Sequence, residues 1–275
     1  MNKYPKILLP TNLSQSACDA ADFIVSFLGR NAEYELLNSF PLVYRSGFYD
    51  SFQNYTPDYD EIPMEKLKRE RNRLIKKFGN QSIDIKAMYG DPVQDLIKTA
   101  ENSADLVVMG EEQFSSWSHQ KISKVETAMV HLEIPLIFVP AMESFEKVHR
   151  VIFIQDATSK HRVESMELLR QLCSVSKASF EVIVVEDEST QDETNWMSKF
   201  TIEDTSKEIQ IVKNRVELSE LLADTLDAYS IIVSNVEFDD SRLAESIQKL
   251  FEDKAIIQTK LLMPRKSSEN FLRGA

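Results

Sequence analysis

The sequence predicts an α/β protein built from two tandem copies of one domain, each with a parallel sheet covered by helices. Apolar runs of four to six residues are continuous rather than alternating, which is typical of strands buried on both faces. Amphipathic stretches of helical length separate these runs, as expected when helices connect parallel strands. Blocks of similar sequence also recur in the same order in both halves of the chain, which indicates an internal repeat.

Four pairs of matching blocks define the repeat. In order, they are 6–12 with 150–156, 34–37 with 180–183, 105–110 with 230–235, and 137–140 with 261–264. Their offsets are 144, 146, 125 and 124 residues, so a deletion of about 21 residues in the second copy explains the drop. We therefore predict a first repeat over residues 1–141, a second over residues 148–264, and a tail over residues 265–275.

Apolar runs and helical stretches alternate along the whole first copy. The predicted strands lie near 6–10, 34–39, 83–88, 105–109 and 135–139, and the predicted helices near 15–29, 62–78, 92–102 and 123–132. Ser14 or Ser16 can cap the first helix, and Gly29 lies where a helix C-cap belongs. Pro92 follows a Gly-Asp turn and suits the first position of a helix. The second-copy helices are predicted near 159–175, 216–227 and 241–252.

Composition limits the kinds of partner that the chain can bind. Its 275 residues include 32 Lys+Arg and 44 Asp+Glu, and the net charge of -12 repels nucleic-acid phosphates and anionic lipid. No apolar run approaches the roughly 18 residues of a membrane helix, and no apolar signal segment follows the first residues. Only two cysteines are present, so we expect no disulfide framework and a reducing cytoplasm. Nucleic acids and membranes are therefore not expected as partners.

Motifs that carry catalysis or bind metal ions are missing from the sequence. It has no glycine-rich phosphate loop, no dinucleotide fingerprint, no nucleophile elbow and no Cys-x-x-Cys pair. None of the four histidines pairs with another at a spacing that would present two ligands on one helix face. Cys18 and Cys173 lie on predicted helices, where we expect buried, unreactive thiols. The sequence therefore predicts neither a catalytic constellation nor a metal site.

The order of four short motifs is similar to that of a known family. The motifs are Pro-Thr-Asn-Leu-Ser at 10–14, Gly-Asp-Pro at 90–92, Ala-Asp-Leu-Val-Val-Met-Gly at 104–110 and Ile-Pro-Leu-Ile-Phe-Val-Pro at 134–140. In this order the first copy resembles a universal stress protein over its whole length, and the second copy looks like a diverged version. The resemblance implies a Rossmann-like, five-stranded parallel sheet flanked by helices in each repeat. It also implies that the repeats pack as a pseudo-dimer through their last strands, in a cytoplasmic protein of the stress response.

The resemblance also indicates where a nucleotide would bind. Family members that bind ATP carry an acidic residue after the first strand, and a Gly-x-x-Gly loop with a Gly-Ser or Gly-Thr pair after the fourth. The acid accepts hydrogen bonds from the nucleoside, and the glycines let backbone N–H groups approach the phosphates. The positions that match this pattern in the first copy are Thr11, Asn12, Gly110, Ser123 and Lys124.

The nucleotide pattern is incomplete in both copies. In the first copy Asn12 replaces the acid, Gln113 stands at the second glycine position, and Glu111 lies beside the presumed phosphate pocket, where it repels a triphosphate. In the second copy Asp156 keeps the acid, but Asn235 replaces the first glycine. Neither copy therefore retains the whole set of groups.

One functional hypothesis treats the chain as a non-enzymatic protein of the stress response with a degenerate nucleotide site. It would need no cofactor and would act by binding protein partners. Asn12 and Asp156 would then be turn residues at strand ends, Gly110 would serve a backbone turn, and Ser123 would cap a helix. Since a tandem pair satisfies its own twofold interface, we expect a monomer or a weak homodimer.

A second hypothesis treats the first repeat as an ATP or AMP sensor. Asn12 can still donate to and accept from a ribose or adenine edge, and Lys124 could contact a phosphate. An adenine-nucleotide enzyme is disfavoured, because the His-x-Gly-His and Ser-Gly-Gly-x-Asp-Ser motifs of such enzymes are missing. The sequence alone leaves the first two hypotheses open.

Overall fold

The strands that the apolar runs predict are present, and in both halves of the chain they pair in parallel. The structure, a computed structural model, describes residues 4–40, 58–110, 132, 134–139, 148–156, 162–185, 209–212, 217, 221, 230–235 and 257–262. The chain divides into two units between residues 141 and 142. The predicted tail, residues 265–275, lies outside the described part.

The first unit contains a five-stranded parallel sheet in the order β3-β2-β1-β4-β5. Its strands are β1 Lys6–Pro10, β2 Glu33–Phe40, β3 Ser82–Tyr89, β4 Leu106–Gly110 and β5 Leu136–Val139. Its helices are α1 Gln15–Leu28, α2 Asp58–Phe78 and α3 Pro92–Ser103, with a short 3-10 turn at Gly29–Asn31. Contacts of α1, α2 and α3 with the strands place helices against the sheet.

The second unit repeats this order as β8-β7-β6-β9-β10, again with parallel pairing throughout. Its elements are β6 Arg150–Asp156, α4 Arg162–Ser176, β7 Ser179–Val185, β8 Ile209–Val212, β9 Ser230–Asn235 and β10 Ile257–Leu262. The predicted α/β class, and a five-stranded parallel sheet flanked by helices, are confirmed.

The strand registers of the two units correspond residue by residue near the centre of each sheet. Ile7 of β1 pairs with Tyr34 of β2, and Val151 of β6 pairs with Phe180 of β7, as the offsets of 144 and 146 predict. The pairing of β1 with β4 and that of β6 with β9 follow the offset of 125 in the same way. The internal repeat therefore extends from sequence to strand pairing.

The deletion in the second copy lies between its second and third strands. Ile85 of β3 comes 49 positions after its partner Leu36, whereas Ile209 of β8 comes only 27 positions after Val182. In the first unit this connection contains the whole of α2. The second unit therefore has 22 fewer residues in which to build the equivalent of α2.

The match of the last strands differs from the sequence prediction by two residues. Gly110 pairs with Val139 in the first unit, and Asn235 pairs with Leu261 in the second, which gives an offset of 122 instead of 124. The middle of β10 carries the polar residues 258–260. Because the sequence blocks were matched by their apolar character, residues 137–140 were aligned with the more apolar residues that follow.

Helix ends follow the capping residues closely. Ser14 caps α1, because its Oγ accepts a hydrogen bond from the Ala17 N–H at 3.3 Å. Gly29 ends α1 with φ 57° and ψ -131°, a conformation that only glycine adopts readily. Asp91 caps α3 and Pro92 occupies its first position.

Helix starts were less predictable than helix ends. The helix α2 begins at Asp58, four residues before the predicted start, and includes Pro63. Pro63 lies in the second turn of this helix, where its missing N–H removes a hydrogen bond to the carbonyl four residues earlier. The helix α4 begins at Arg162 instead of 159. Of the other predicted helices, 123–132 and 241–252 lie almost wholly outside the described residues, and within 216–227 only Glu217 and Leu221 are described, both helical.

Candidate functional site

Strand order places a crevice at the carboxyl ends of β1 and β4. The chain leaves β1 towards β2 on one side and returns through α3 to β4 on the other side. In open α/β sheets ligands bind at such a point, where the strand order reverses. Leu8 of β1 pairs with Val107 of β4, and Thr11 follows the end of β1 while Gly110 ends β4. Two of the predicted site residues therefore lie at the edge of the sheet where this fold binds its ligands.

Thr11 is built into the backbone of the turn that follows β1. It is 3% exposed, its N–H donates to the Leu37 carbonyl at 2.7 Å, and its Oγ1 accepts from the Leu13 N–H at 3.0 Å. Leu13 has φ 62°, a left-handed conformation that is uncommon for a residue with a branched side chain. The Thr11 hydroxyl thus holds a strained turn in place.

Asn12 occupies the position of the acidic residue in nucleotide-binding members of the family that the sequence resembles. Its side chain is exposed, and its Oδ1 accepts a hydrogen bond from the Ser14 N–H at 3.0 Å. This Asx turn leads directly into the cap of α1, since Ser14 is the N-cap residue. Asn12 therefore performs the turn role that one of the sequence hypotheses gave it.

Gly110 is required by the close approach of α1 to β4. It is buried, and a β-carbon built on it would lie 2.6 Å from the Ser16 carbonyl carbon and closer still to the Ser16 carbonyl and hydroxyl oxygens. Any side chain here would have to displace helix backbone. The Ser16 Oγ is itself buried and has no hydrogen-bond partner among the residues that the structure describes.

The remaining predicted site residues are not brought to this crevice by the described structure. Ser123 and Lys124 lie outside the described residues. Asp156 is the last residue of β6 and belongs to the second unit, where β6 is the equivalent of β1. The structure thus places Thr11, Asn12 and Gly110 at one edge of the first unit's sheet, and Asp156 at the corresponding strand end of the other repeat.

A polar contact at the same edge of the sheet was missed by the sequence reasoning. The Ser39 Oγ at the end of β2 donates to Asp95 Oδ2 at 2.5 Å, and Asp95 lies in the first turn of α3. An added β-carbon on Gly90 would lie 3.0 Å from the same carboxylate. The Gly-Asp-Pro turn motif predicted the start of α3. It did not indicate that Asp95, the fourth residue of this helix, would bind the helix to β2.

Charged side chains join α1 to α2 away from the crevice. Asp22 is 6% exposed and accepts hydrogen bonds from Arg73 at 2.6 and 3.1 Å and from Lys77 at 2.6 Å. Arg73 also donates to both carboxylate oxygens of Glu70, at 2.7 and 2.8 Å. The hydrogen bonds that Arg73 donates to Glu70 and Asp22 keep the pKa of Arg73 above its ordinary value, so the guanidinium stays charged.

The half-buried thiol of Cys18 lies beside this cluster. Burial, together with the negative charge of Glu70 and a hydrogen bond to it, raises the pKa of Cys18 from 9.0 to about 12. A thiol with such a pKa is protonated at neutral pH and is a poor nucleophile. Cys173 on α4 is buried. These surroundings agree with the expectation of unreactive cysteines.

Clusters of metal ligands and membrane-spanning helices would each indicate a class of function. No group of three or more His, Cys, Asp or Glu side chains within them is arranged to hold a metal ion. Among the helices of the described part, none combines the length and apolar character needed to cross a membrane.

Comparison with known proteins identifies the fold. No protein-family model and no curated protein matches the chain. A universal stress protein from Archaeoglobus fulgidus DSM 4304 has a similar solved structure, with a TM-score of 0.62 and 15% sequence identity over 96% of this chain and 97% of its own. The cytoplasmic domain of a prokaryotic cation chloride cotransporter is also similar, with a TM-score of 0.54 and 9% identity over 95% of this chain and 96% of its own.

At such low identity the similarity concerns the fold, which many different functions share. The strand order of both units and the placement of the motifs at 10–14, 90–92 and 104–110 agree with it. The chain therefore has the fold of the universal stress proteins, as the order of its sequence motifs predicts.

Proposed function

We propose that this chain is a non-enzymatic member of the universal stress protein family that serves the stress response by binding protein partners. The observation that carries this proposal is the contact of Gly110 with Ser16. The one glycine that survives from the phosphate-binding pattern is accounted for by helix packing, so its presence does not require a nucleotide. The nucleotide site of the first repeat is then degenerate.

The other described residues of the crevice support the same conclusion. The Thr11 hydroxyl and the Asn12 side-chain oxygen each accept a backbone N–H from the turn that leads into α1. A nucleotide would have to share or displace these acceptors. Exchanging an internal hydrogen bond for one to a ligand brings little net free energy, because the first bond must be broken.

The proposed function involves no catalytic turnover. A hydrolase needs a nucleophile or an activated water held by a base of suitable pKa. We propose that the chain provides neither, and that it works in the reducing cytoplasm, where its two cysteines remain thiols. Purified full-length chain should release no more phosphate from MgATP than buffer does. Turnover that persists through purification and is lost in an Asn12→Ala variant would refute a non-enzymatic role.

The pairing of the two repeats also belongs to the proposal. The resemblance implies that they pack through their last strands as a pseudo-dimer, which leaves no twofold interface open for a second chain. Sedimentation equilibrium at micromolar concentration should then give a mass near 31.6 kDa, that of a single chain. A tight dimer at the same concentration would contradict this arrangement.

A second candidate function is an ATP or AMP sensor in the first repeat. It is favoured by the positions of Thr11 and Gly110 at the carboxyl ends of β1 and β4 and by the left-handed Leu13 between the strand and the helix, since backbone strain often concentrates at ligand sites. If the sensor is real, Asn12→Ala should weaken binding of AMP, while Asn102→Ala, an exposed residue on α3, should not. Equal binding by both variants would place any nucleotide elsewhere.

A further inference from the structure

The solvent face of α2 differs in charge from the rest of the chain. Residues 66–77 contain seven Lys or Arg side chains and one acid, Glu70, in a chain whose net charge is -12. Five of the basic residues are exposed, and three of these five, Lys66, Arg69 and Lys76, form no ion pair with a described residue. At 100° per residue they lie within an arc of about 80° on the helix surface. We call these three residues the α2 basic stripe.

The cations of the stripe are not used in ion pairs, unlike their neighbours on α2. Arg73 and Lys77 are held by Asp22, and Lys68 pairs with Glu65 at 3.0 Å. Within the described part of the chain, no carboxylate lies within 4.0 Å of the charged groups of Lys66, Arg69 or Lys76. The hydrogen bond from Lys68 and, less strongly, the charge of Arg69 lower the pKa of Glu65, but none of the three stripe cations forms an ion pair with a carboxylate of the described residues.

Positive side chains placed this way disfavour the isolated helix. Lys66 and Arg69 are three residues apart, and Arg69 and Arg73 are four apart, which are the spacings at which like charges repel on a helix surface. The helix is held in spite of this by its buried face, which includes Leu67 and Leu74, and by the ion pairs to Asp22. The exposed pair of Lys68 with Glu65 adds little to the stability of the helix, so helix stability does not explain the positive charge of this face.

We propose that the α2 basic stripe docks an acidic segment of a partner protein. This inference rests on the proposed function, because it specifies the chemistry of the partner. The stripe runs ten positions along the helix, about 15 Å, which equals the length of about five residues of extended chain. A segment with alternating or consecutive Asp or Glu residues can meet all three cations over that length.

The charge of the rest of the chain favours a short acidic segment over a nucleic acid or a membrane. Duplex DNA carries a charge about every 1.7 Å and extends far beyond a stripe of this length, so its outer phosphates would meet a chain whose net charge is -12. A bilayer surface is equally extended, and the exposed side chains of α2 include no aromatic residue or leucine among residues 63–78 that could enter it. Only a partner that ends near the stripe avoids the repulsion.

The test uses the full chain and a fluorescent peptide of ten glutamates. Binding is measured by fluorescence anisotropy at low salt, where exposed charges interact most strongly. The stripe variant is Lys66→Glu with Arg69→Glu and Lys76→Glu. The matched control is Lys98→Glu with Arg170→Glu and Lys177→Glu, which reverses three exposed cations elsewhere and changes the net charge by the same amount. Circular dichroism and the unfolding midpoint establish that both variants are folded.

The stripe variant should bind the peptide about tenfold more weakly or worse than the parent, because three modest ion pairs are lost together. The control should weaken binding much less. Equal weakening by both variants would overturn the proposal, as would tighter binding of duplex DNA or phosphatidylserine vesicles than of the peptide. These outcomes are independent of the phosphate-release measurement, so failure of the docking surface is distinguishable from failure of the non-enzymatic role.

Discussion

Ser16 of α1 lies against Gly110 of β4 so closely that a β-carbon on the glycine would come within 2.6 Å of the serine carbonyl carbon. This contact fixes the distance between the first helix and a central strand at the mouth of the crevice. It also changes how the glycine should be tested. A Gly110→Val variant would lose nucleotide binding by disturbing the helix whether or not a phosphate ever approaches the glycine.

The first prediction concerns this contact. Gly110→Ala should lower the free energy of unfolding by about 2 kcal/mol, since overpacking against helix backbone cannot be relieved by a side-chain rotation. Adding Ser16→Gly should not restore stability, because the clash includes the Ser16 backbone. Gly90→Ala is the matched control, since its β-carbon would meet only the end of the Asp95 side chain at 3.0 Å. Urea unfolding measures all three, and a Gly110→Ala protein as stable as the parent would refute the contact.

The second prediction concerns the ion pairs between α1 and α2. Asp22→Ala should destabilise the chain by about 2 kcal/mol, because Arg73 and Lys77 both lose their hydrogen bonds to a buried carboxylate and Arg73 keeps only those to Glu70. Glu65→Ala should cost less than about 0.5 kcal/mol, because the pair with Lys68 is exposed. Denaturant unfolding of both variants measures the difference. An equal loss of stability in the two variants would mean that the buried ion pairs of Asp22 stabilise the chain no more than the exposed pair of Glu65 does.

The third prediction is a loss of stability in alkali. Since the pKa of Cys18 is raised to about 12 in the folded chain, the unfolded chain releases this proton first as the pH passes about 9. The free energy of unfolding should therefore fall from pH 9 upward, and burial of Tyr34, which raises its pKa, adds to the fall at higher pH. Urea unfolding at several pH values should show a shallower slope for Cys18→Ala. Identical slopes for parent and variant would contradict the burial of this thiol.

The fourth prediction concerns the end of α4. Lys177 has φ 61°, and the Ala178 N–H donates to the Cys173 carbonyl at 3.0 Å, as in a Schellman motif that usually carries glycine. Lys177→Gly should raise the free energy of unfolding by about 0.5 to 1 kcal/mol, whereas Lys177→Ala should leave it nearly unchanged. The reverse change, Gly29→Ala, should destabilise α1 by about 1 kcal/mol. A glycine at 177 that destabilises would show that the lysine side chain contributes more than the strain costs.

The strands were predictable because continuous apolar runs in the local sequence indicate buried strands. Residues 6–10 and 105–109 are continuous apolar runs, and β1 Lys6–Pro10 and β4 Leu106–Gly110 lie there, with β4 buried throughout. The register of β10 was not predictable in this way, because its middle is polar and its pairing depends on β9. The predicted start of α2 at residue 62 lies beside Pro63, whereas the helix begins four residues earlier and contains this proline.

The position of the candidate site could be predicted from the sequence, but the structural roles of its residues could not. The motifs put Thr11, Asn12 and Gly110 at strand ends, and β1 and β4, which they follow or end, are neighbours in the sheet. The approach of Ser16 to Gly110 could not be read from the sequence, because a helix-to-strand distance depends on the packing of the whole sheet. The positive φ of Leu13 could not be predicted either, because a leucine side chain does not favour this conformation.

The central claim is that the nucleotide site of the first repeat is degenerate, and thermal unfolding with and without millimolar MgATP or AMP tests it most directly. A ligand that binds only the folded chain must raise its stability, by about 2.7 kcal/mol at a hundredfold excess over the dissociation constant. The account predicts an unchanged midpoint, and no nucleotide released when the purified chain is denatured. A raised midpoint that disappears in Asn12→Ala but persists in Asn102→Ala would contradict it and establish the first repeat as a nucleotide sensor.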